Sequence, residues 1–390
     1  MTMTQPHDQP SPPADSRTGR RVDPTTLCLL GLRIVVLVTV IVGVPRFPSS
    51  AASRYVAIAE TPGIPYRDFP VEYAPVEVAI LEGIGAGGPD LARALLGVVA
   101  FTGDMIAFGA LRRGWGAATA RRYLWLGAPL LLFIYRRPDL LSVGLVVLGL
   151  VLANRRRERW GGLAVAAAIL TRVWPIVVVP ILAIRGRTSS LRACALSLVL
   201  VLAGWIALAG IGAPGQVVSF RGATGWEIES SVGVVVWFFT GERRFEAGAF
   251  RAGTIAAPVR VLLVVLLVLT LAAIWGRARR WPGDPAGPPA LAAVAALLAL
   301  STVLSPPYVA WLLPWAAIAG TTDRRWTVPG FLPVALTGLV VAVWYLDIWR
   351  GHPGLSQVIL FARNLALLAP VAMWLWPAGR GPIRWGAADA

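Results

Sequence analysis

The feature that most constrains this chain is its series of apolar runs, each close to the length of a membrane-crossing helix. A bilayer core about 30 Å thick takes roughly 20 apolar residues of α-helix to cross. Runs 27–44, 91–111, 193–211, 254–275 and 358–376 meet that length with few charges. Others are shorter or broken. Runs 123–135 and 140–153 flank Arg136-Arg137-Pro138-Asp139, and 161–184 is interrupted by Trp174-Pro175. Runs 290–304 and 308–320 flank Ser305-Pro306-Pro307, and 328–346 completes the set. The 390 residues are 56% hydrophobic and 14% charged. Soluble domains carry nearer a quarter charged residues, and a disordered polycation has no such apolar runs. The 31 prolines and 40 glycines fit membrane helices, whose neighbours re-satisfy freed backbone groups.

The net charge is +16, and all 36 basic residues are arginine. Let each run cross once, with the two halves of 161–184 crossing separately. The clusters Arg20-Arg21, Arg112-Arg113, Arg155-Arg156-Arg157, Arg279-Arg280 and Arg324-Arg325 then share one side. The positive-inside rule makes that side cytoplasmic. On the other side, acids balance arginines. The expectation is a multi-pass plasma-membrane protein with about 12 spans and both termini cytoplasmic. Residues 1–26 and 377–390 are its tails, the first disordered, and 27–376 its integral domain. Run 161–184 becomes two short helices meeting near Arg172. Irregular backbone at membrane depth survives only where it lines protein or water, so that break marks a site. Two cysteines and two histidines, far apart, give no disulfide framework and no metal cluster. The arginines flank spans and form no aromatic-interleaved patch, which excludes nucleic acid.

Two outer loops are long, 45–90 and 212–253, and loops of that length usually carry function. Each holds an apolar stretch too short to span, 76–84 and 232–239, expected as interfacial or re-entrant helices. Most outer acids lie in them. The densest constellation is Tyr66-Arg67-Asp68-Phe69-Pro70-Val71-Glu72-Tyr73-Ala74-Pro75. Two carboxylates four apart stand beside a cation and three aromatics. Such a carboxylate in a water-poor site serves as a general base; alternatively Asp68 and Glu72 are loop acids paired with Arg67. Asp104, in the middle of a run, either lines a cavity or joins two helices. Arg363, near the outer end of the last run, is expected to snorkel toward water.

The string from Pro65 to Pro75 resembles a segment of the polyprenyl-phosphate-dependent mannosyltransferases, glycosyltransferase family 87. These belong to the GT-C superfamily and are common in actinobacterial envelopes. The likeness continues in order through Arg137-Pro138-Asp139-Leu140, Leu170-Thr171-Arg172-Val173-Trp174-Pro175 and Trp226-Glu227-Ile228-Glu229-Ser230. It ends with Ser305-Pro306-Pro307-Tyr308 and Trp311-Leu312-Leu313-Pro314, covering about 27–376. It implies an all-α, polytopic transmembrane helix bundle of GT-C type, with short broken helices among its spans. It also implies a membrane glycosyltransferase acting on the outer face. A sugar, mannose or similar, would pass from a polyprenyl-phosphate donor to an envelope lipid or glycan acceptor, with membrane lipids around it and no cofactor.

On that resemblance Asp68 and Glu72 are the candidate bases. Arg172, Arg67 and Arg137 are the candidate ligands of the donor phosphate. Tyr66, Tyr73, Asp139, Glu229, Ser230 and Tyr308 are placed to bind substrate. The chain departs from the pattern in four places. The family often has Asp four residues before a Tyr after the first helix, where this chain has Ala51 before Tyr55. Its Tyr-Pro-Pro is Tyr73-Ala74-Pro75 here, Pro307 stands for Gln, and Arg172 for Lys, which keeps charge but changes geometry. The Ala51 departure leaves a catalytically silent member open. A secondary transporter or flippase-like protein is the other alternative, although the halves 27–190 and 191–376 show no repeat of motif.

Overall fold

The computed structural model describes residues 23–42, 50–131, 133–155, 157–219, 222–344, 348 and 354–376. The expected tails fall outside them, apart from 23–26. There the first helix, α1 (Pro24–Val42), already begins, with a proline in its first turn, where no N–H is needed.

The chain folds as an all-α membrane bundle. In the first long loop segment stand α2 (Ser50–Glu60) and α3 (Pro75–Gly85); α3 is the expected short apolar helix, and α2 was not anticipated. Next comes α4 (Gly88–Trp115), followed across Gly116 by α5 (Ala117–Leu126). A helix over 123–135 was expected. Instead α5 starts earlier and stops at Leu126, because Gly127 and Pro129 cannot carry it on. The chain then reaches Arg137 through single 3-10 turns, Ala128–Leu130 and Ile134–Arg136.

α6 (Asp139–Asn154) and α7 (Glu158–Thr171) follow. Run 161–184 breaks at Arg172, then resumes as a 3-10 segment Trp174–Val178 and α8 (Pro180–Ile184). Next are α9 (Thr188–Ala209), α10 (Ala213–Val218), β1 (Trp226–Glu227), α11 (Ser231–Thr240), β2 (Arg244–Glu246) and β3 (Ala249–Ala252). The chain continues with α12 (Ala257–Ala278), α13 (Pro288–Leu300), a 3-10 segment Pro306–Leu312, α14 (Leu313–Thr322), α15 (Thr327–Leu339) and α16 (Leu355–Leu375).

Among the described residues six helical segments are long and apolar enough to cross a membrane: α1, α4, α9, α12, α16 and Arg324–Val343, which contains α15. The other expected crossings are shorter apolar pieces such as Asp139–Asn154, Trp174–Ile184 and Pro288–Leu300. α9 and α12 are almost wholly exposed along their apolar lengths, as lipid-facing helices are. The three-stranded antiparallel sheet, in order β1-β3-β2, was not expected. Its hairpin turns through Ala247 and Gly248, both with positive φ, the conformation that a tight two-residue turn requires.

Two contacts set the frame of the bundle. α4 and α6 pack at van der Waals range because neither carries a side chain where they cross. A Cβ on Gly103 would overlap the Leu140 carbonyl, and one on Gly144 would overlap the Gly103 carbonyl. Asp104, beside that crossing, is buried and joins helices instead of lining a cavity. It pairs with Arg33 of α1 at 2.9 Å and accepts hydrogen bonds from Tyr123 (2.7 Å) and Tyr135 (2.6 Å). A lone carboxylate at a helix centre costs roughly 3 kcal/mol; here a cation and two hydroxyls compensate it. Both cysteines are free.

The crossing gives a clean test. Gly144→Val is expected to add overpacking strain of about 1–3 kcal/mol and lower the thermal unfolding temperature in detergent. Gly204→Val on the exposed α9, where a Cβ meets nothing within 4 Å, leaves it unchanged. Equal effects from both would mean that the α4–α6 contact is not tight.

Candidate active site

A cavity of about 430 Å3 opens where the broken helices meet the two long loops. Its lining brings together Glu72, Tyr73, Arg137, Arg172, Glu229 and Tyr308 from the sequence expectations. It adds Arg54, Glu227, Ser305 and the hairpin residues Ala247–Arg251.

The centre of the site is the break at Arg172. The guanidinium is gripped by two buried carboxylates, Glu77 of α3 at 2.8 Å and Asp139 at the start of α6 at 3.4 Å. It also lies over the Tyr73 ring, 5.5 Å from its centre. Asp139 is itself fixed, because Trp311 Nε1 donates to it at 3.0 Å. Trp311 is sandwiched between Tyr308, with ring centres 4.5 Å apart, and Trp174, at 5.3 Å. Trp174 Nε1 donates in turn to Ser142. Three sequence breaks, at 137–139, 171–175 and 305–308, are thus locked together by one aromatic stack and one ion-pair cluster.

Arg137 differs from Arg172. It lines the cavity two residues before Asp139, and among the described residues it makes no hydrogen bond or ion pair. Its neighbour Tyr135 is anchored on Asp104, which holds the segment in place. Arg172 is a cation already paired twice; Arg137 is a cation with its charge still to give.

The first long loop delivers Glu72 and Tyr73. Its turn is tight: Tyr66 has a φ of 69°, strained for a non-glycine residue. The strain is held by contacts on all sides. Tyr66 Oη donates to the Tyr73 carbonyl at 2.7 Å, and its ring packs edge-on against Trp205. Gln216 clasps the turn, donating to the Tyr66 carbonyl at 2.6 Å and accepting from the Val71 N–H at 3.1 Å. Tyr66 is therefore buried scaffold. Glu72 accepts two hydrogen bonds from Arg54 of α2, at 3.0 and 3.4 Å. Asp68 and Arg67 sit elsewhere. They pair with each other at 3.0 Å on the exposed side of the turn, and neither lines the cavity. The hydrogen bonds from Arg67 and the Ile64 N–H hold the Asp68 carboxyl below its usual range, which weakens it as a base.

The second long loop delivers Glu227 and Glu229. Its backbone is pinned between β3 and the 302 segment, with Ile228 N–H donating to Phe250 and Glu227 N–H to Thr302. Ser230 lies just behind, capping α11 by accepting from the Gly233 N–H, the favoured role of serine at that position. A Cβ on Gly233 would overlap the Glu227 carbonyl, so only glycine lets α11 come this close. Arg363 does not snorkel. It is fully buried, donates to the Glu229 carbonyl and sits 4.0 Å from its carboxylate; burial with two polar partners outweighs access to water. The Oε2 atoms of Glu227 and Glu229 have no hydrogen-bond partner. Burial pushes the Glu229 carboxyl up to about 8, Arg363 pulling against it and Glu227 adding to it. Glu227 is raised by burial as well, with Arg251 opposing.

The cavity thus holds a cation that makes no hydrogen bond or ion pair among the described residues, a carboxylate steadied by an arginine, and two buried carboxyls raised above their usual range, Glu229 to about 8. Among the described residues no three metal-ligating side chains come together. Glu77 and Arg54 were not singled out from sequence. Glu77 is detectable as a carboxylate inside an apolar stretch, the reasoning that flagged Asp104. Arg54 carries no such signal, because its role depends on α2 packing beside the loop.

The sequence model of glycosyltransferase family 87 matches residues 91–306. No curated protein matches the chain. Arg137, Asp139, Arg172, Glu227, Glu229 and Ser230 lie within the matched span; Arg54, Glu72, Tyr73 and Tyr308 lie outside it.

The raised carboxyl has a pH signature. Unfolded Glu229 titrates near 4.5, and folded Glu229 near 8. Between those values the folded state binds the extra proton, so its stability is greatest below the unfolded value and falls as pH rises toward 8. Thermal unfolding from about pH 5 to about pH 9 is expected to show that decline, with a shallower slope in Glu229→Gln. Equal slopes in the two proteins would place the titration elsewhere.

Proposed function

The chain belongs to glycosyltransferase family 87, and from that membership of a membrane glycosyltransferase family we propose that this cavity transfers a sugar from a polyprenyl-phosphate donor. Mannose or a similar hexose is the sugar, and an envelope lipid or glycan the acceptor. In the proposed orientation the arginine-rich ends and both tails face the cytoplasm. The cavity then faces the outer side of the plasma membrane, and the donor enters from the outer leaflet.

The observation that carries the reading is the pairing, in one cavity, of a free cation with a steadied carboxylate: Arg137 and Glu72. Glu72 acts as the general base. It takes the proton of the acceptor hydroxyl as that oxygen attacks the anomeric carbon. The bond from the anomeric carbon to the donor phosphate oxygen breaks, and its electron pair leaves with the polyprenyl phosphate. Arg137 stabilises the charge that develops there, an effect strongest in a water-poor site. Arg172 adds to the field, but its main work is to hold Glu77 and Asp139. The protonated carboxyl of Glu229 donates a hydrogen bond to a sugar oxygen, with Glu227 lining the cavity beside it. Tyr73 and Tyr308 supply apolar faces for the sugar or the carrier. Asp68, the first candidate from sequence, becomes a structural acid of the turn, and Arg54 fixes Glu72 where the family pattern would use residue 51.

The experiment is transfer from a polyprenyl-phosphate sugar by the purified chain in lipid. Glu72→Gln keeps the Arg54 contact and is expected to lower the rate by about 100-fold or more, the range for loss of a general base. Asp68→Asn retains most of the activity. Loss in Asp68→Asn with retention in Glu72→Gln would return the base role to Asp68. No transfer by the wild-type chain from any such donor would favour a silent family member.

A further inference from the structure

A second groove runs between α4 and α6 on the arginine-rich side of the bundle, with a volume of about 750 Å3. Its walls are Phe101, Met105, Ile106, Leu148 and Leu152, and its mouth holds Arg113, Arg155 and Arg157. Three observations separate it from ordinary lipid-facing surface. No carboxylate lines it, and among the described residues none of the three arginines is ion-paired. The Arg113 guanidinium folds back along its own helix over Gly109, where Nη1 lies 3.3 Å from the position of a Cβ. That places the cation along the edge of the apolar groove. Arg155 Nη2 donates to the Arg113 carbonyl at 2.9 Å, which anchors the Arg155 guanidinium against the end of α4.

We propose that this groove binds an anionic glycerophospholipid. Arg113, Arg155 and Arg157 hold its phosphate, and an acyl chain lies along the apolar walls. The charge complementarity is one-sided: the three cations at the mouth call for an anion, and basic pockets between membrane helices are where acidic headgroups seat. In the proposed orientation the lipid comes from the inner leaflet, across the membrane from the sugar-transfer cavity. The two sites share a frame. The groove is the far end of the α4–α6 interface whose near end, at Gly103 and Gly144, leads to Asp139. A bound lipid thereby stabilises the helix pair that carries the cavity. Binding does not depend on glycosyl transfer and is read without it.

The test uses the full chain in nanodiscs of phosphatidylcholine containing phosphatidylglycerol, with retained lipid counted by native mass spectrometry. Wild type is expected to retain one phosphatidylglycerol. Arg113→Gln/Arg155→Gln/Arg157→Gln lowers its occupancy by about tenfold, a difference that mass spectrometry reads directly. Arg112→Gln/Arg279→Gln/Arg280→Gln, with the same change in net charge away from the groove, keeps it. Gly109→Phe fills the groove without altering charge and also loses the lipid; it decides the matter if the first triple variant does not fold. Equal loss in both triple variants would reduce the effect to surface charge. Retention of no lipid, or preferential retention of added polyprenyl phosphate, would overturn the assignment.

Discussion

The site depends on one buried interaction, the grip of Glu77 and Asp139 on Arg172. A guanidinium at the break of a membrane helix is costly unless its charge and donors are met. Here two carboxylates from different helices meet the charge, both at Nη2, at 2.8 and 3.4 Å. That cluster ties α3 to α6 and to the α7 break, and Trp311 connects it to the 305–312 segment. Its net charge is negative or neutral, according to the protonation of Glu77, which burial pushes upward against the pull of Arg172. A spent, paired cation at the centre leaves the free charge of Arg137 as the feature a phosphate would meet.

The same logic explains how the two long loops can line the cavity without being regular. Each functional side chain is delivered by a short segment whose backbone is clasped at several points. Gln216 holds the 66–71 turn from α10. Arg363 and Asn364 hold the Glu229 carbonyl from α16. Ser230 and Gly233 let α11 start directly behind the acids. The loops behave as rigid scaffold whose anchors lie far away in sequence. Arg54 of α2 likewise reaches across to Glu72.

Much of this was legible in the sequence because its cause is local. Apolar runs of about 20 residues declare helices, and Pro-containing breaks declare where they stop. The broken hairpin at Arg172 and the short helix Pro75–Gly85 followed from those two rules. The family likeness picked out the three breaks that converge on the cavity. What was not legible depended on long-range pairing. Whether Asp68 or Glu72 faces inward is decided by the conformation of Tyr66 and by Gln216, 150 residues away. Whether Arg363 reaches water or turns inward is decided by Glu229, 134 residues away. The hairpin at 244–252 was missed because its strands are short and its turn, Ala247-Gly248, is a weak local signal beside long apolar helices.

The central claim is that Arg137, and not the doubly paired Arg172, supplies the charge that holds the donor phosphate. Its most direct measurement is the equilibrium affinity of the purified chain for a polyprenyl phosphate, compared with that of Arg137→Gln. A charge-assisted hydrogen bond lost from a phosphate is worth about 1.5–3 kcal/mol. The account therefore expects binding weakened by about tenfold or more, with little change in unfolding temperature, because among the described residues Arg137 makes no hydrogen bond or ion pair. Equal affinity in the two proteins would contradict it.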